Sequence, residues 1–300
     1  MHSTDIKRRQ FLRLAAAAGL TCQLPLSWQL LASESSEPKI SLAQWSLHRQ
    51  LRAGQLKVLD FAVKTRRDFQ LGAVEYVNQF FADKAKDQPF LRQLKQRADD
   101  SGVRSLLIMV DAEGDLAAID QKQRQQAVEN HYKWVEAAAF LGCHAIRVSI
   151  ADHATTDAEK MQQAAVQGLQ QLAAFAKPFG ISIIVENHMG HSMHASWLAT
   201  VLQQAGNAGS LPDFGNFSGD KYQGMQLLLP YAKGVSAKSY AFDASGAETS
   251  IDYRRMWQLI QVSGYQGYIG IEYEGQNADE DAGIRATRDL LLAVASHAGR

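Results

Sequence analysis

Three acids end short apolar runs and raise the first chemical question. Glu186 follows Ile181–Val185, Asp213 follows Leu211-Pro212, and Glu272 follows Tyr268–Ile271. An acid beside a buried run is unfavourable unless something positive offsets its desolvation. Carboxylates gathered at one point also repel and raise each other's pKa. A divalent cation removes that conflict, and oxygen donors with an imidazole suit Mn²⁺, Mg²⁺, Co²⁺ or Zn²⁺. A rim salt bridge is the bland alternative for any one of these acids taken alone.

Other polar residues close similar runs. Glu75 lies inside Ala-Val-Glu-Tyr-Val, and Asp111 and Glu113 follow Val103–Val110. Arg147 sits in Ala145–Ile150, and Asn216 comes three residues after Asp213. Ser236, Lys238 and Ser239 belong to Gly234–Ser239, and Glu274 follows Glu272. Trp45 ends the first run and offers a flat face for a sugar, or plugs a barrel. His188, His191 and His194 cluster, but Met189-Gly190 makes this a loop where three-residue spacing says little. His188 is the expected substrate or metal contact of the set; His191 and His194 read equally well as solvent-facing, and His131 and His144 as structural. Arg147 is expected to neutralise Glu75 and Glu186 internally, with a substrate carboxylate or phosphate as the alternative.

The elements that must position these groups alternate. Eight runs read as strands: Ile40–Trp45, Ala73–Val77, Val103–Val110, Ala145–Ile150, Ile181–Val185, Leu211–Asp213, Gly234–Ser239 and Tyr268–Ile271. Several are continuous and β-branched, as parallel strands buried on both faces are. Helical stretches lie between them, clearest at Gln121–Leu141 before Gly142, then Asp157–Phe179, a helix opened by Ile251-Asp252-Tyr253, and Glu280–Ala298. This repeat predicts an α/β fold, a single-domain (β/α)8 TIM barrel over 39–300. A doubly wound sheet would place a glycine-rich loop after the first strand, where Gln44-Trp45-Ser46-Leu47-His48 stands instead. In a barrel, catalytic groups gather where strands end, so Glu186, Asp213 and Glu272 are expected to meet.

Composition agrees. Apolar residues make 46% and charged residues 21% of 300, which excludes whole-chain disorder and a disulfide scaffold. Lys and Arg together number 31, as do Asp and Glu, so no basic surplus marks a nucleic-acid partner. Lys7-Arg8-Arg9-Gln10-Phe11-Leu12-Arg13 followed by the apolar stretch from Leu14 to Leu20 resembles a twin-arginine export signal. That stretch is too short for a stable membrane anchor. The expectation is a signal over 1–32, the twin-arginine translocase as a transient partner, and a periplasmic mature protein. Removing 1–32 leaves 27 basic and 30 acidic side chains, a net charge of −3. It also leaves Cys143 as the lone cysteine, so no internal disulfide is expected.

Several phrases together resemble the sugar phosphate isomerase/epimerase family, the xylose-isomerase-like TIM barrels of the AP endonuclease family 2 superfamily. They are Ala138-Ala139-Phe140-Leu141-Gly142-Cys143-His144-Ala145-Ile146-Arg147-Val148, Ile183-Ile184-Val185-Glu186-Asn187-His188, Pro212-Asp213-Phe214-Gly215-Asn216-Phe217, Val235-Ser236-Ala237-Lys238 and Gly267-Tyr268-Ile269-Gly270-Ile271-Glu272-Tyr273. The resemblance implies one divalent metal ion held by Glu186, Asp213, position 236 and Glu272. Position 236 is Ser here, where the family has His. Water or His188 then completes the shell, or the site binds metal weakly or not at all. Lys238 lies two residues on and faces the same side of its strand, so its ammonium could offset the carboxylates.

The resemblance further implies proton abstraction next to a carbonyl, with Glu186 and Glu272 exchanging the proton and a cation stabilising the oxyanion; in this sequence Lys238 is a candidate for that electrophile. A Schiff-base lysine is the lesser alternative. Trp45, Glu75, Arg147, His188 and Asn216 are the expected substrate contacts. The leading expectation is an isomerase or epimerase acting on a free sugar or keto-sugar. A lyase or hydratase acting on a 3-keto-glycoside is the alternative, and a non-catalytic sugar-binding barrel belongs to another class. An endonuclease-IV-like phosphodiesterase would need many histidines at strand ends, and these are missing. A small carbohydrate is the expected partner, and a homo-oligomer stays open.

Overall fold

The computed structural model describes residues 37–150 and 157–297. The segment read as an export signal lies outside the described residues. Eight parallel strands carry the fold: β1 (Ile40–Ala43), β2 (Ala73–Val77), β3 (Arg104–Met109), β4 (Ala145–Val148), β5 (Ser182–Glu186), β6 (Ala208–Leu211), β7 (Val235–Ser239) and β8 (Ile269–Tyr273). They pair in the order β6-β5-β4-β3-β2-β1-β8-β7. Isolated parallel bridges, Ser210 with Ala232 and Asp213 with Ser236, join the two ends. The result is the (β/α)8 barrel that the alternating pattern predicts.

One principal helix follows each strand: α1 (Phe61–Phe69), α2 (Gln88–Asp100), α3 (Gln121–Leu141), α4 (Ala158–Ala176), α5 (Ala195–Ala205), α6 (Lys221–Leu228), α7 (Tyr253–Ser263) and α8 (Glu280–His297). Aspartates open several of them. Asp87, Asp120, Asp220 and Asp252 each accept a backbone N–H of the first turn, which satisfies donors that have no partner inside the helix. Among the described residues, no helix is long and apolar enough to cross a membrane.

Strand alternation divides the core in two. Leu42, Val74, Ile108, Ile146, Val185, Ala237 and Ile271 face outward and pack under the helices. Ala43, Val77, Leu107, Met109, Ala145, Ile184 and Leu211 fill the barrel interior. Of the polar residues in the same inward rows, Ser41 and Glu75 stay inside the barrel, while Glu186, Ser236, Lys238 and Glu272 lie toward the C-terminal mouth.

Most strand ends shift by one or two residues from the sequence reading, and two differences bear on the site. The sixth strand is Ala208–Leu211 rather than Leu211–Asp213. Its Ala-Gly-Ser-Leu composition reads as a turn, yet Gly209 is required. A Cβ there would stand 2.6 Å from Lys233 Cγ and 3.0 Å from the Tyr231 carbonyl. Trp45 does not end β1; it lies in a 3₁₀ turn, Gln44–Leu47, that carries the chain over the mouth.

Candidate active site

The strand ends bring the predicted acids together. Glu186 closes β5, Glu272 lies near the end of β8, and Asp213 follows β6 at its bridge to β7. Each offers a carboxylate oxygen within 4.8 Å of the others, and all three are buried. Their spacing fits a divalent cation, and Glu186 Oε2 makes no hydrogen bond. His188 is not part of this close group. Among the described residues, these three acids are the group whose oxygens lie close enough together to hold a metal ion.

Asp213 is held on every side. Its Oδ1 accepts the backbone N–H groups of Gly215 and Asn216, both at 2.8 Å. Its Oδ2 accepts from Ser236 Oγ at 2.7 Å. Asn187, beside Glu186, latches the same loop: Oδ1 accepts the Asp213 N–H at 2.8 Å, and Nδ2 donates to the Asp213 and Asn216 carbonyls. Asn216 Nδ2 in turn donates to Glu186 Oε1 at 3.3 Å.

Two buried cations balance the acids. Lys238 Nζ lies 2.6 Å from Glu272 Oε2, 3.3 Å from Glu274 Oε2 and 3.7 Å from Asp213 Oδ2. As alternation on β7 predicts, it shares its face with Ser236, whose Oγ is 3.2 Å from the same Glu272 oxygen. Arg147 Nη1 bonds Asp111 at 2.5 Å, and its Nε stands 3.0 Å from Glu186 Oε2, off the hydrogen-bond line. Arg147 thus neutralises Glu186 as expected, but its second partner is Asp111 and not Glu75.

These neighbours separate the acids. Burial pushes Glu186 above the ordinary glutamate range; Arg147 opposes the push and Glu272 adds to it. Burial raises Asp213 likewise, against the pull of Lys238. For Glu272, burial is outweighed by the charge and hydrogen bond of Lys238, with Arg147 and His188 helping, so this carboxyl sits below its usual range. Burial would strip the proton from Lys238, but Asp213, Glu272 and Glu186 hold it as an ammonium. A protonated amine is no nucleophile, so these surroundings favour an electrostatic role for Lys238 over a Schiff base.

The remaining predicted contacts split. His188, in the loop after β5, leaves Nδ1 unpartnered, and burial followed by Arg147 lowers its pKa, favouring the neutral ring. Trp45 is half-buried at the mouth, stacked on His48 at 5.0 Å and near Phe80. Its indole donates to Glu274 Oε1 at 2.5 Å. Glu274 therefore links Trp45 to Lys238, a role its bare position at a strand end did not reveal. Glu75 is sealed inside the barrel at 1% exposure, accepting from Ser41 at 2.6 Å. It packs against Gly270, two residues before Glu272, where a Cβ would lie 2.5 Å from Glu75 Oε1. His131 bonds the Ala127 carbonyl within α3. A cavity of about 470 Å³ opens at the opposite, N-terminal mouth, lined by Lys39, Arg104, His144 and Lys233 among others, away from the carboxylates.

Solved structures with this fold include L-ribulose 3-epimerase, at 15% identity and TM-score 0.69, covering 87% of this chain and 96% of that one. The 3-keto-D-glucoside 4-epimerase YcjR from E. coli shares 13% identity with TM-score 0.64, over 85% and 99% of the two chains. The IOLI protein with a bound zinc atom shares 12% identity with TM-score 0.71, over 86% and 98%. Comparison with curated protein sequences gives no match. Residues 67–294 match the family described as xylose isomerase-like TIM barrel. With eight strands, a closed ring and acids at the C-terminal mouth, the chain belongs to the xylose isomerase-like TIM barrel family.

Proposed function

We propose that the protein is a sugar isomerase or epimerase that removes a proton next to the carbonyl of a free sugar or keto-sugar. The opposed environments of Glu186 and Glu272 carry this reading. Environments that push two carboxyl groups apart assign one to the acid role and the other to the base role. Glu272, held ionised, takes the proton from carbon. The C–H electron pair forms a carbon–carbon double bond, and the carbonyl oxygen takes the negative charge. Glu186, held toward its protonated form, delivers a proton to the opposite face or to the adjacent carbon. Solvent restores both groups, and the reverse reaction exchanges their roles.

The Lys238 ammonium, buried among the acids, faces the developing oxyanion in a water-poor site. When bound at Glu186, Asp213 and Glu272, a divalent cation supplies a Lewis acid for the carbonyl oxygen. The neutral His188 ring offers a free nitrogen to a hydroxyl, Asn216 orients Glu186, and Trp45 offers its face to the sugar ring. Names of two relatives, an L-ribulose 3-epimerase and a 3-keto-D-glucoside 4-epimerase, support this class.

The test is deuterium incorporation from heavy water into a ketose panel including L-ribulose and a 3-keto-glucoside, followed by proton NMR. Wild type is expected to exchange the proton next to the carbonyl. Glu186→Gln is expected to lose at least about 100-fold, the usual range for general acid–base groups. Binding without exchange in wild type would leave a sugar-binding barrel instead. An elimination product would turn the reading to a lyase or hydratase.

We also propose export by the twin-arginine route, on the Arg8-Arg9 pair and the apolar stretch behind it. Cell fractionation checks this. Full-length protein is expected in the periplasm, and an Arg8→Lys/Arg9→Lys double variant in the cytoplasm. Periplasmic protein from both would discard the route.

A further inference from the structure

The ammonium at the centre raises a question of charge that the carboxylate spacing alone does not. Lys238 is 2% exposed. Its Nζ contacts two of the three triad acids, at 2.6 Å from Glu272 Oε2 and 3.7 Å from Asp213 Oδ2, and also Glu274 at 3.3 Å. The third triad acid, Glu186, has the Arg147 guanidinium 3.0 Å away. Every triad carboxylate therefore already has a fixed cation of the chain's own beside it. Ser236 adds a hydroxyl donor to Asp213 Oδ2, the same oxygen that faces Lys238.

The seat is shaped for the lysine stem. A Cβ at Gly215 would lie 2.9 Å from Lys238 Cγ and 2.7 Å from the Tyr240 hydroxyl, so only glycine leaves the path open. Glu274, tied to Trp45 on one oxygen, fixes the ammonium from the solvent side with the other. A divalent ion bound to oxygens of Asp213 and Glu272 would stand within a few ångström of Nζ. Like charges at that distance repel strongly in a poorly solvated interior.

We infer that Lys238 is a built-in cation that competes with divalent metal for Asp213 and Glu272, so that this chain keeps positive charge at its centre without a metal and binds metal weakly. This rests on the proposed reaction only for its purpose; its test needs no sugar. Mn²⁺ affinity is measured by calorimetric titration, alongside thermal unfolding with and without Mn²⁺, for wild type, Lys238→Met and Lys238→Arg. Lys238→Met is expected to bind Mn²⁺ at least about tenfold tighter than wild type, reflecting the lost repulsion. Its melting temperature should rise on adding Mn²⁺, since a ligand of the folded state stabilises it. Lys238→Arg, which keeps the charge, should bind as weakly as wild type. Affinity in Lys238→Met equal to or below that of wild type overturns the inference. Should Lys238→Met be unfolded without metal, circular dichroism reads whether Mn²⁺ restores the fold, and no restoration also overturns it. Failure of the deuterium exchange leaves these measurements untouched, so the two readings fail separately.

Discussion

Glu75 shows what burial does to a single carboxyl that no cation attends. It lies inside the barrel with one hydrogen bond, from Ser41, and one oxygen without a partner. Burial, eased by Ser41 and worsened by Glu272 and Glu186, raises it to about 7. The folded protein therefore holds the Glu75 proton more tightly than the unfolded chain does. Stability linked to that proton is complete below the ordinary glutamate value and is lost as pH climbs through about 7. Glu75→Gln keeps a neutral group of the same shape at every pH. The variant is expected to match wild type near pH 4 and to exceed it by roughly 3 kcal/mol near pH 9. Urea midpoints at the two pH values measure this, and parallel pH profiles for the two proteins would refute it. The contrast with Glu272 is instructive. Both are buried glutamates, but Lys238 keeps Glu272 below its usual range, while Glu75 has only a hydroxyl. Sequence showed both as acids near strand ends. It could not show which had a cation, because that depends on partners placed by other strands.

At the scale of elements, the loop after β6 depends on the residue after β5. The Asn187 side chain takes the place of the main-chain bonds that a longer β6 would make, bonding the Asp213 N–H and the Asp213 and Asn216 carbonyls. Asn187→Ala would strand those buried groups at a cost of about 2 kcal/mol. Urea denaturation checks it, and a loss under about 0.5 kcal/mol would mean that the groups find other partners. Exchange activity should fall as well, since Asp213 would no longer be pinned beside Glu186. The legible elements were those with strong patterns: β5 carries Val-Glu and β8 carries Ile-Glu at or near their ends, and α3 spans Gln121–Leu141 and stops at Gly142 as read. β6 was misplaced because Ala-Gly-Ser-Leu has no apolar signature, and small residues are needed there by Lys233 and Tyr231. Glu274 passed as an undistinguished acid, since its partner Trp45 is distant in sequence and comes near only when β8 pairs with β1.

The whole molecule has one uneven feature, the way its ring closes. Strands β1 to β6 pair in sequence, and β8 pairs with β1 over Ile40–Ile269, Ser41–Gly270 and Leu42–Ile271. Between β6 and β7 only two isolated bridges hold. The firm joint thus unites the two ends of the barrel, and the loose joint lies between neighbours in sequence. Chain connectivity makes this an economical division. Bringing near neighbours together costs little loop-closure entropy, so the short connection through α6 can hold β6 beside β7 with few bonds. Joining β1 to β8 closes a loop of nearly the whole barrel, and there the full ladder of hydrogen bonds offsets the larger entropy. The same division leaves the loose joint with few ladder bonds, and it is there, where Asp213 bridges Ser236, that the protein places one of its three central carboxylates.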